Sequence, residues 1–225
     1  MYAGALKTRL SKIKLFANRM AITGLIIATS AMMMAPPSLS ADKTILAIGD
    51  SLTAGYGLPP GQGFPEQLAQ ALKAEGQSVR MINAGVSGDT TSGGLSRLEW
   101  VLDSIDGNGP ELVILEFGAN DALRGIDPVI TRENIDKMLS ILSTRDIPVL
   151  FVGMIAPPNM GPDYADLFNK IYPELAGLHN VSFYPFFLDG VAGTLELNQT
   201  DGMHPNEQGV AVIVEKIMPH ILPLL

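Results

Sequence analysis

Residues 112–117 (LVILEF) and 148–152 (PVLFV) are two short, almost uninterrupted apolar runs. Runs of this kind are typical of parallel strands in a sheet that helices cover on both faces. Three further short runs follow the same pattern, and a longer amphipathic stretch separates each run from the next. This alternation of strand and helix predicts an α/β domain with right-handed crossovers.

The predicted fold is a three-layer α/β/α domain, doubly wound around a parallel sheet of about five strands. The strands are predicted at residues 44–48, 79–83, 112–117, 148–152 and 181–186. The helices are predicted at residues 64–75, 91–105, 131–144, 164–178 and 207–221. No internal repeat or low-complexity tract suggests a second folded domain in this part of the chain.

Small and polar residues follow the predicted strands at their carboxyl ends. Ser51 comes just after the first strand, the glycine-rich stretch 84–89 after the second, and Asn120 after the third. The long loop after the fifth strand ends in residues 201–205 (DGMHP). Ligands of doubly wound sheets bind beyond the carboxyl ends of the strands, so the sequence predicts a functional site at this edge.

The chain has no cysteine, so a nucleophile must be Ser, Thr, Lys or a carboxylate. Ser51 is the candidate, because it follows the first strand with glycine two residues before it, and a sharp turn there can present its hydroxyl at this edge. A serine hydroxyl needs a base, and only His179, His204 and His220 are available. His204 fits best, since His179 is predicted in a turn at the opposite edge of the sheet and His220 in the last helix. Asp201, three residues before His204, is close enough to orient the imidazole.

Acyl transfer also requires hydrogen-bond donors for the oxyanion. The backbone N–H of Ser51, the backbone N–H of Gly88 and the side-chain amide of Asn120 are predicted to supply three. Each motif also has a purely structural interpretation: a helix N-cap at Ser51, tight or Asx turns at Gly88 and Asn120, and a turn at 201–205 leading to Asn206 as N-cap. The joint catalytic interpretation is favoured because four separate segments place compatible groups at one edge.

The sequence resembles the SGNH (GDSL) hydrolase family, in particular its secreted bacterial arylesterases, thioesterases and lysophospholipases. The family's four blocks occur in order between about residues 44 and 220. They are Gly49-Asp50-Ser51-Leu52 with its continuation to Gly57, residues 83–89, Gly118-Ala119-Asn120-Asp121, and residues 201–205. One departure is Ala119, where many relatives have a second glycine.

The resemblance implies a flavodoxin-like sheet and assigns Ser51 as nucleophile, His204 as general base and Asp201 as its orienting acid. It likewise implies an oxyanion hole from the Ser51 amide, Gly88 and Asn120. The expected reaction is hydrolysis of small carboxylic esters, aryl or short to medium acyl, through an acyl-enzyme. Acyl thioesters and lysophospholipids are further expected substrates, and no cofactor or metal is expected.

Apolar side chains in the loop after the fourth strand are predicted to contact the acyl group, and the candidates are Met154, Ile155 and Pro157. Two alternatives remain open. One is a non-catalytic envelope protein that binds lipid or peptide, and the other is a metal-dependent phosphoesterase with ligands from Asp50, Asp89, Asp121 and Asp201. Both leave the combination of Ser51 and His204 without a role.

Residues 1–40 are typical of a secretory signal peptide. They contain five basic residues and no acidic ones, an apolar stretch at 20–34, two prolines, and small residues before Ala41. The apolar stretch is shorter than the roughly 20 residues of a bilayer span, although an uncleaved anchor is the alternative. Cleavage is predicted near Ser40 or Ala41, which would leave a hydrolase domain of residues 41–225 in the periplasm or outside the cell, without a stable membrane span.

Charge excludes one class of partner. Beyond residue 40 the chain carries ten basic residues against 23 acidic ones. A surface this acidic repels phosphate backbones, so no nucleic acid partner is expected.

Overall fold

Five parallel strands form one sheet in the order β2-β1-β3-β4-β5 in the computed structural model, which describes residues 43–225. The strands are β1 (Lys43–Gly49), β2 (Val79–Gly85), β3 (Leu112–Glu116), β4 (Val149–Val152) and β5 (Ser182–Tyr184). This is the flavodoxin-like order of a doubly wound sheet. The chain adds β2 on one side of β1 and the later strands on the other, so the winding direction reverses between β1 and β3.

Helices cover this sheet, as the apolar strands require. The seven α-helices of the described residues are α1 (Ser51–Ala54), α2 (Phe64–Ala74), α3 (Thr91–Asp103), α4 (Ala119–Leu123), α5 (Pro128–Thr144), α6 (Pro162–His179) and α7 (Glu207–Ile221). Helix α2 packs against α7, and α5 packs against both α3 and α6. The side chains of β1 from Ile45 to Ile48 and those of β4 are buried, which places the core on both faces of the sheet.

The predicted α/β architecture is confirmed, with small differences at element ends. The fifth strand was predicted at 181–186 but ends at Tyr184. Pro185 has no N–H to donate, and the N–H of Phe187 donates to Gly153 O at 2.9 Å, beyond the end of β4. The third long helix begins at Pro128 rather than residue 131, because Asp127 caps it by accepting from Val129 N–H. His179 is the last residue of α6, so its predicted place in a turn is wrong by one position.

Residues 43–225 belong to one compact unit. The predicted signal peptide, residues 1–40, lies outside the described residues. Within residues 43–225, no helix combines the length and the apolar character that a bilayer crossing needs.

Candidate active site

Ser51 lies at the carboxyl end of β1, as the first residue of α1. Asp50, and not Ser51, is the N-cap of this helix, since its side chain accepts from Leu52 N–H at 2.9 Å. At Gly49 there is no space for a side chain, because a Cβ would come within 2.6 Å of the backbone oxygen of Glu116. The strand therefore ends on a residue that only glycine can occupy, and the chain passes to α1 over the single residue Asp50, which places Ser51 at the edge of the sheet.

A continuous chain of hydrogen bonds joins Ser51, His204 and Asp201. His204 Nε2 lies 2.9 Å from Ser51 Oγ, and His204 Nδ1 lies 2.6 Å from Asp201 Oδ2. The loop that holds the last two residues is closed at its base by a bridge between Asn198 and Pro205. The structure thus brings together three residues that were predicted as nucleophile, base and orienting acid.

Asp201 is held in its ionised form. Its Oδ1 accepts from the backbone N–H of His204 at 3.0 Å and of Met203 at 2.9 Å, and its other oxygen faces the imidazole. These hydrogen bonds, with the backbone bond from His204 as the largest cause, lower the pKa of Asp201 to about 2. A permanent carboxylate at this place favours the tautomer of His204 that carries its proton on Nδ1 and leaves Nε2 as base.

Asn120 lies at the carboxyl end of β3, across the reversal point from Ser51. Its Nδ2 donates to Asp50 Oδ2 at 3.0 Å, and an amide carries two protons, so the second can be donated to a ligand. Burial, as the largest cause, raises the pKa of Asp50 to about 6. Glu116 is also fully buried; it accepts from Thr53 Oγ1 at 2.8 Å, and burial followed by the neighbouring Asp50 raises its pKa well above the usual range.

Gly88 lies on the loop between β2 and α3, with φ at +86°, a conformation that favours glycine. Arg124 Nη2 donates to Gly88 O at 2.6 Å and so ties this loop to the end of α4. Arg97 is bound more deeply: it donates to Gly49 O at 3.0 Å and to Ala84 O at 2.8 Å, and it pairs with Asp89 at 2.7 Å. Arg124 follows the Asn120 block and was expected near the pocket without a catalytic role, whereas Arg97 was not predicted as a site residue, because two of its partners are backbone carbonyls.

A cavity of about 640 Å³ opens in front of Ser51. Ser51, Gly88, Asn120 and His204 line it, together with all three predicted substrate-contacting residues, Met154, Ile155 and Pro157. Further apolar lining comes from residues the sequence did not single out for this role, including Tyr56, Ala192 and Met203. Phe186 and Leu188 also line the cavity, whereas Phe187 between them is buried in the core. No Asp, Glu, Lys or Arg side chain is among the lining residues, so the cavity suits an uncharged apolar group.

The other two histidines lie elsewhere. His179 Nε2 contacts Asp136 Oδ1 at 2.6 Å on the helical layer, and the His220 ring lies 5.1 Å from the Tyr184 ring. Both have packing partners, as predicted.

The four carboxylates of the phosphoesterase alternative also have separate partners. Asp89 pairs with Arg97, and Asp121 accepts from Thr91 and Thr131. Asp50 and Asp201 are bound to Asn120 and His204 as described above. Among residues 43–225 no group of three His, Asp or Glu side chains is placed to hold a metal ion.

Residues 47–212 match the GDSL-like Lipase/Acylhydrolase family. The chain belongs to this family. An arylesterase of Vibrio mimicus is 40% identical over 182 residues, which cover 81% of this chain and 90% of that protein. The thioesterase 1/protease 1/lysophospholipase L1 of Escherichia coli is 32% identical, over 83% of this chain and 86% of its own length.

A solved structure gives the same result. The crystal structure of AlinE4, an SGNH-hydrolase family esterase, is 46% identical and covers 84% of this chain and 99% of its own, with a TM-score of 0.71. The predicted family and flavodoxin-like α/β fold are therefore confirmed, and so is the predicted enzyme class: the protein is a serine hydrolase of carboxylic esters.

Proposed function

We propose that the protein hydrolyses esters by a two-step acyl-enzyme mechanism in which Ser51 is the nucleophile. The observation that carries this proposal is the hydrogen-bonded chain Ser51 Oγ, His204 Nε2, His204 Nδ1, Asp201 Oδ2, with distances of 2.9 and 2.6 Å, at the wall of an apolar cavity. His204 takes the hydroxyl proton as Oγ attacks the ester carbonyl, and Asp201 stabilises the imidazolium that forms. The proton then passes to the leaving alkoxide, and water repeats the sequence on the acyl-enzyme.

The backbone N–H groups of Ser51 and Gly88 and the side-chain amide of Asn120 stabilise the oxyanion of the tetrahedral intermediate. This assignment is supported by the lining of the cavity, which all three residues share with His204. It is also supported by the bond from Asn120 to Asp50, which orients the amide before substrate arrives. Donors fixed in advance need no reorganisation when charge develops, which is the main source of their effect.

The substrates are small carboxylic esters whose uncharged acyl or aryl group enters the cavity. Met154, Ile155 and Pro157 supply one apolar wall, and the absence of charged lining residues disfavours ionised acyl groups. Acyl thioesters and lysophospholipids are proposed as further substrates, because their acyl chains have the same apolar character. The name of the E. coli relative, which includes both activities, supports this extension.

The enzyme acts in the periplasm or outside the cell, after removal of residues 1–40. The three-part character of that segment in the sequence supports this proposal. Expression of the full chain with N-terminal sequencing of the extracytoplasmic product tests it. A mature chain that begins near Ala41 is expected, and an active product that retains Met1 would contradict it.

Labelling with a fluorophosphonate tests the nucleophile directly. One equivalent of label is expected per chain, on the tryptic peptide that contains Ser51, and none in Ser51→Ala. Ser87 is the matched control, since it is a second serine in the lining of the same cavity. Label on Ser87, or undiminished label in Ser51→Ala, would refute the assignment.

A further inference from the structure

The loop that follows Ser51 and α1 meets the loop that contains His204 at a second contact, apart from the hydrogen bond between Ser51 Oγ and His204 Nε2. Gln199 Nε2 donates to Tyr56 O at 2.7 Å and to Pro205 O at 2.9 Å. The backbone N–H of Gln199 also donates to His204 O at 2.7 Å. One glutamine therefore closes the loop that contains His204 and ties it to the loop that follows Ser51.

The side chain of Gln199 packs closely against the backbone of Gly57. The φ of Gly57 is +73°, and a Cβ built there would overlap Oε1 of Gln199. Both protons of the Gln199 amide face carbonyl oxygens, which fixes the orientation of the amide. Two features distant in sequence, a glycine without room for a side chain and a doubly bound amide, thus define one contact between the loops.

Tyr56 makes the third contact across this junction. Its ring lies 4.7 Å from the ring of His204, tilted by 41°, and the side chain is exposed along the cavity wall. An aromatic ring at this distance attracts an imidazolium more than a neutral imidazole. The other groups that face His204 are Ser51 Oγ, the Asp201 carboxylate and, at longer range, the buried Asp50.

We propose that Gln199 and Tyr56 are positioning residues for the hydrolysis. Gln199 fixes the separation of the two loops, and therefore the approach of Nε2 to Ser51 Oγ. Tyr56 fixes the plane of the His204 ring and stabilises the ring when it becomes protonated. The inference rests on the proposed function, because it requires that His204 accept the Ser51 proton.

Gln199→Glu is the first test, because it keeps the size of the side chain and replaces the two donated protons with oxygens that repel the carbonyls. Gln67→Glu is the matched control. Gln67 is partly buried like Gln199, and its Nε2 also donates to two distant carbonyls, Gln62 O at 3.0 Å and Glu207 O at 3.1 Å, outside the cavity. With a p-nitrophenyl ester we expect kcat of Gln199→Glu to fall by about ten- to a hundredfold, as for other small misplacements of a reacting group, with KM nearly unchanged.

The control should lose a comparable amount of thermal stability and keep kcat within about twofold of wild type. If Gln199→Glu and Gln67→Glu had the same kcat, Gln199 would be a structural residue only and the proposal would be wrong. Gln199→Met, which keeps the length and removes both donors, provides the same comparison should the glutamate variant fail to fold.

Tyr56→Phe and Tyr56→Leu test the aromatic ring. Tyr56→Phe keeps the ring, so its kcat should be higher than that of Tyr56→Leu. Tyr56→Leu should lower kcat by about two- to fivefold and move the acid limb of the pH profile of kcat/KM to lower pH, since the protonated imidazole loses a favourable neighbour. Equal rates and equal acid limbs in the two variants would refute the role of Tyr56.

Ser51→Ala, measured in the same assay, distinguishes a failure of this inference from a failure of the proposed function. An inactive Ser51→Ala with a fully active Gln199→Glu would overturn this inference and leave the proposed function standing. Activity that persists in Ser51→Ala would overturn the proposed function itself.

Discussion

Two aspartates adjoin the Ser51–His204 pair, and their surroundings move their pKa values in opposite directions. Asp50 lies beneath Ser51, fully buried, and burial raises its pKa to about 6. Asp201 lies in the outer loop, where two backbone N–H groups and the imidazole lower its pKa to about 2. The same residue type is therefore a permanent anion on one side of the site and takes up a proton near pH 6 on the other. Hydrogen-bond donors and access to water decide whether each aspartate is charged. The buried side of the site, with Asp50, and the outer loop, with Asp201, can therefore be tested separately.

The largest effect should come from the pair that both aspartates adjoin. Ser51→Ala and His204→Ala should each lower kcat/KM for ester hydrolysis by on the order of 10⁴- to 10⁶-fold, because the nucleophile and its base act as one unit. Thermal unfolding should stay close to wild type, since both side chains are partly exposed. Steady-state kinetics with a p-nitrophenyl ester provides the measurement. A rate within tenfold of wild type in either variant would contradict the mechanism.

Asp201→Asn should have the next largest effect, about 10³- to 10⁴-fold on kcat. The amide keeps the shape of the side chain but can stabilise the wrong tautomer of His204, as in the protease triad from which the magnitude is taken. Loss of the carboxylate should also shift the acid limb of kcat/KM to lower pH, because an adjacent anion favours the imidazolium. A variant that kept both its rate and its acid limb would reduce Asp201 to a turn residue.

On the buried side, Asn120→Ala should lower kcat by roughly 10²-fold with little change in KM, because an oxyanion donor acts mainly in the transition state. Comparison of kcat and KM for one aryl ester is sufficient. A change confined to KM would mean that Asn120 binds the ground state of the substrate instead.

Among these positions, Asp50→Asn should have the smallest kinetic effect, about tenfold on kcat, because Asp50 orients the Asn120 amide and does not itself contact the reacting atoms. The new amide has one acceptor oxygen where the carboxylate has two, so it cannot accept from both Leu52 N–H and Asn120 Nδ2, and one of these hydrogen bonds is replaced by a contact between donors. Measurement of the double variant Asp50→Asn/Asn120→Ala checks this route: its rate should equal that of Asn120→Ala. Additive losses would show that Asp50 acts on something other than Asn120.

Asp50→Asn also tests how the two aspartates affect the pH dependence of the free energy of unfolding. A raised pKa means that the folded protein binds the proton of Asp50 more tightly than the unfolded chain, so this group's contribution to stability falls as pH rises from 3.8 to about 6. The lowered pKa of Asp201 has the opposite sign, and its contribution falls as pH drops from 3.8 to about 2. In urea unfolding, the stability of wild type relative to Asp50→Asn should therefore fall between pH 4 and 7, by on the order of 2 kcal/mol. A constant difference between the two proteins would contradict the assignment.

Much of this molecule could be predicted from its sequence, because periodicity and elimination are strong signals in it. Uninterrupted apolar runs marked the buried strands. Of the three histidines, only His204 was predicted in a loop at the carboxyl edge of the sheet, which made it the candidate base. The short helices α1 and α4 were missed, since four or five residues carry no helical period and the caps Asp50 and Gly118 decide them.

Other parts depend on packing that a single sequence does not express. Glu116 occurs inside an apolar run, and its complete burial follows from its place in β3 beside the turn at Gly49. Gln199 resembles an ordinary loop residue, because its partners are backbone carbonyls that any sequence would supply. Tyr56 and His204 are 148 positions apart in the chain, and only the folded structure brings their rings together.

The separation of Ser51 and His204, 153 residues along the chain, also has a consequence during synthesis. A ribosome that adds about 5–20 residues per second needs roughly 8–30 s to pass from the codon of Ser51 to that of His204. Throughout that interval the growing polypeptide exposes a serine whose hydroxyl has no base to activate it. With Ser51 and His204 as the proposed nucleophile and base, hydrolysis requires the last loop, so a chain released by the ribosome before residue 204 is expected to be inactive.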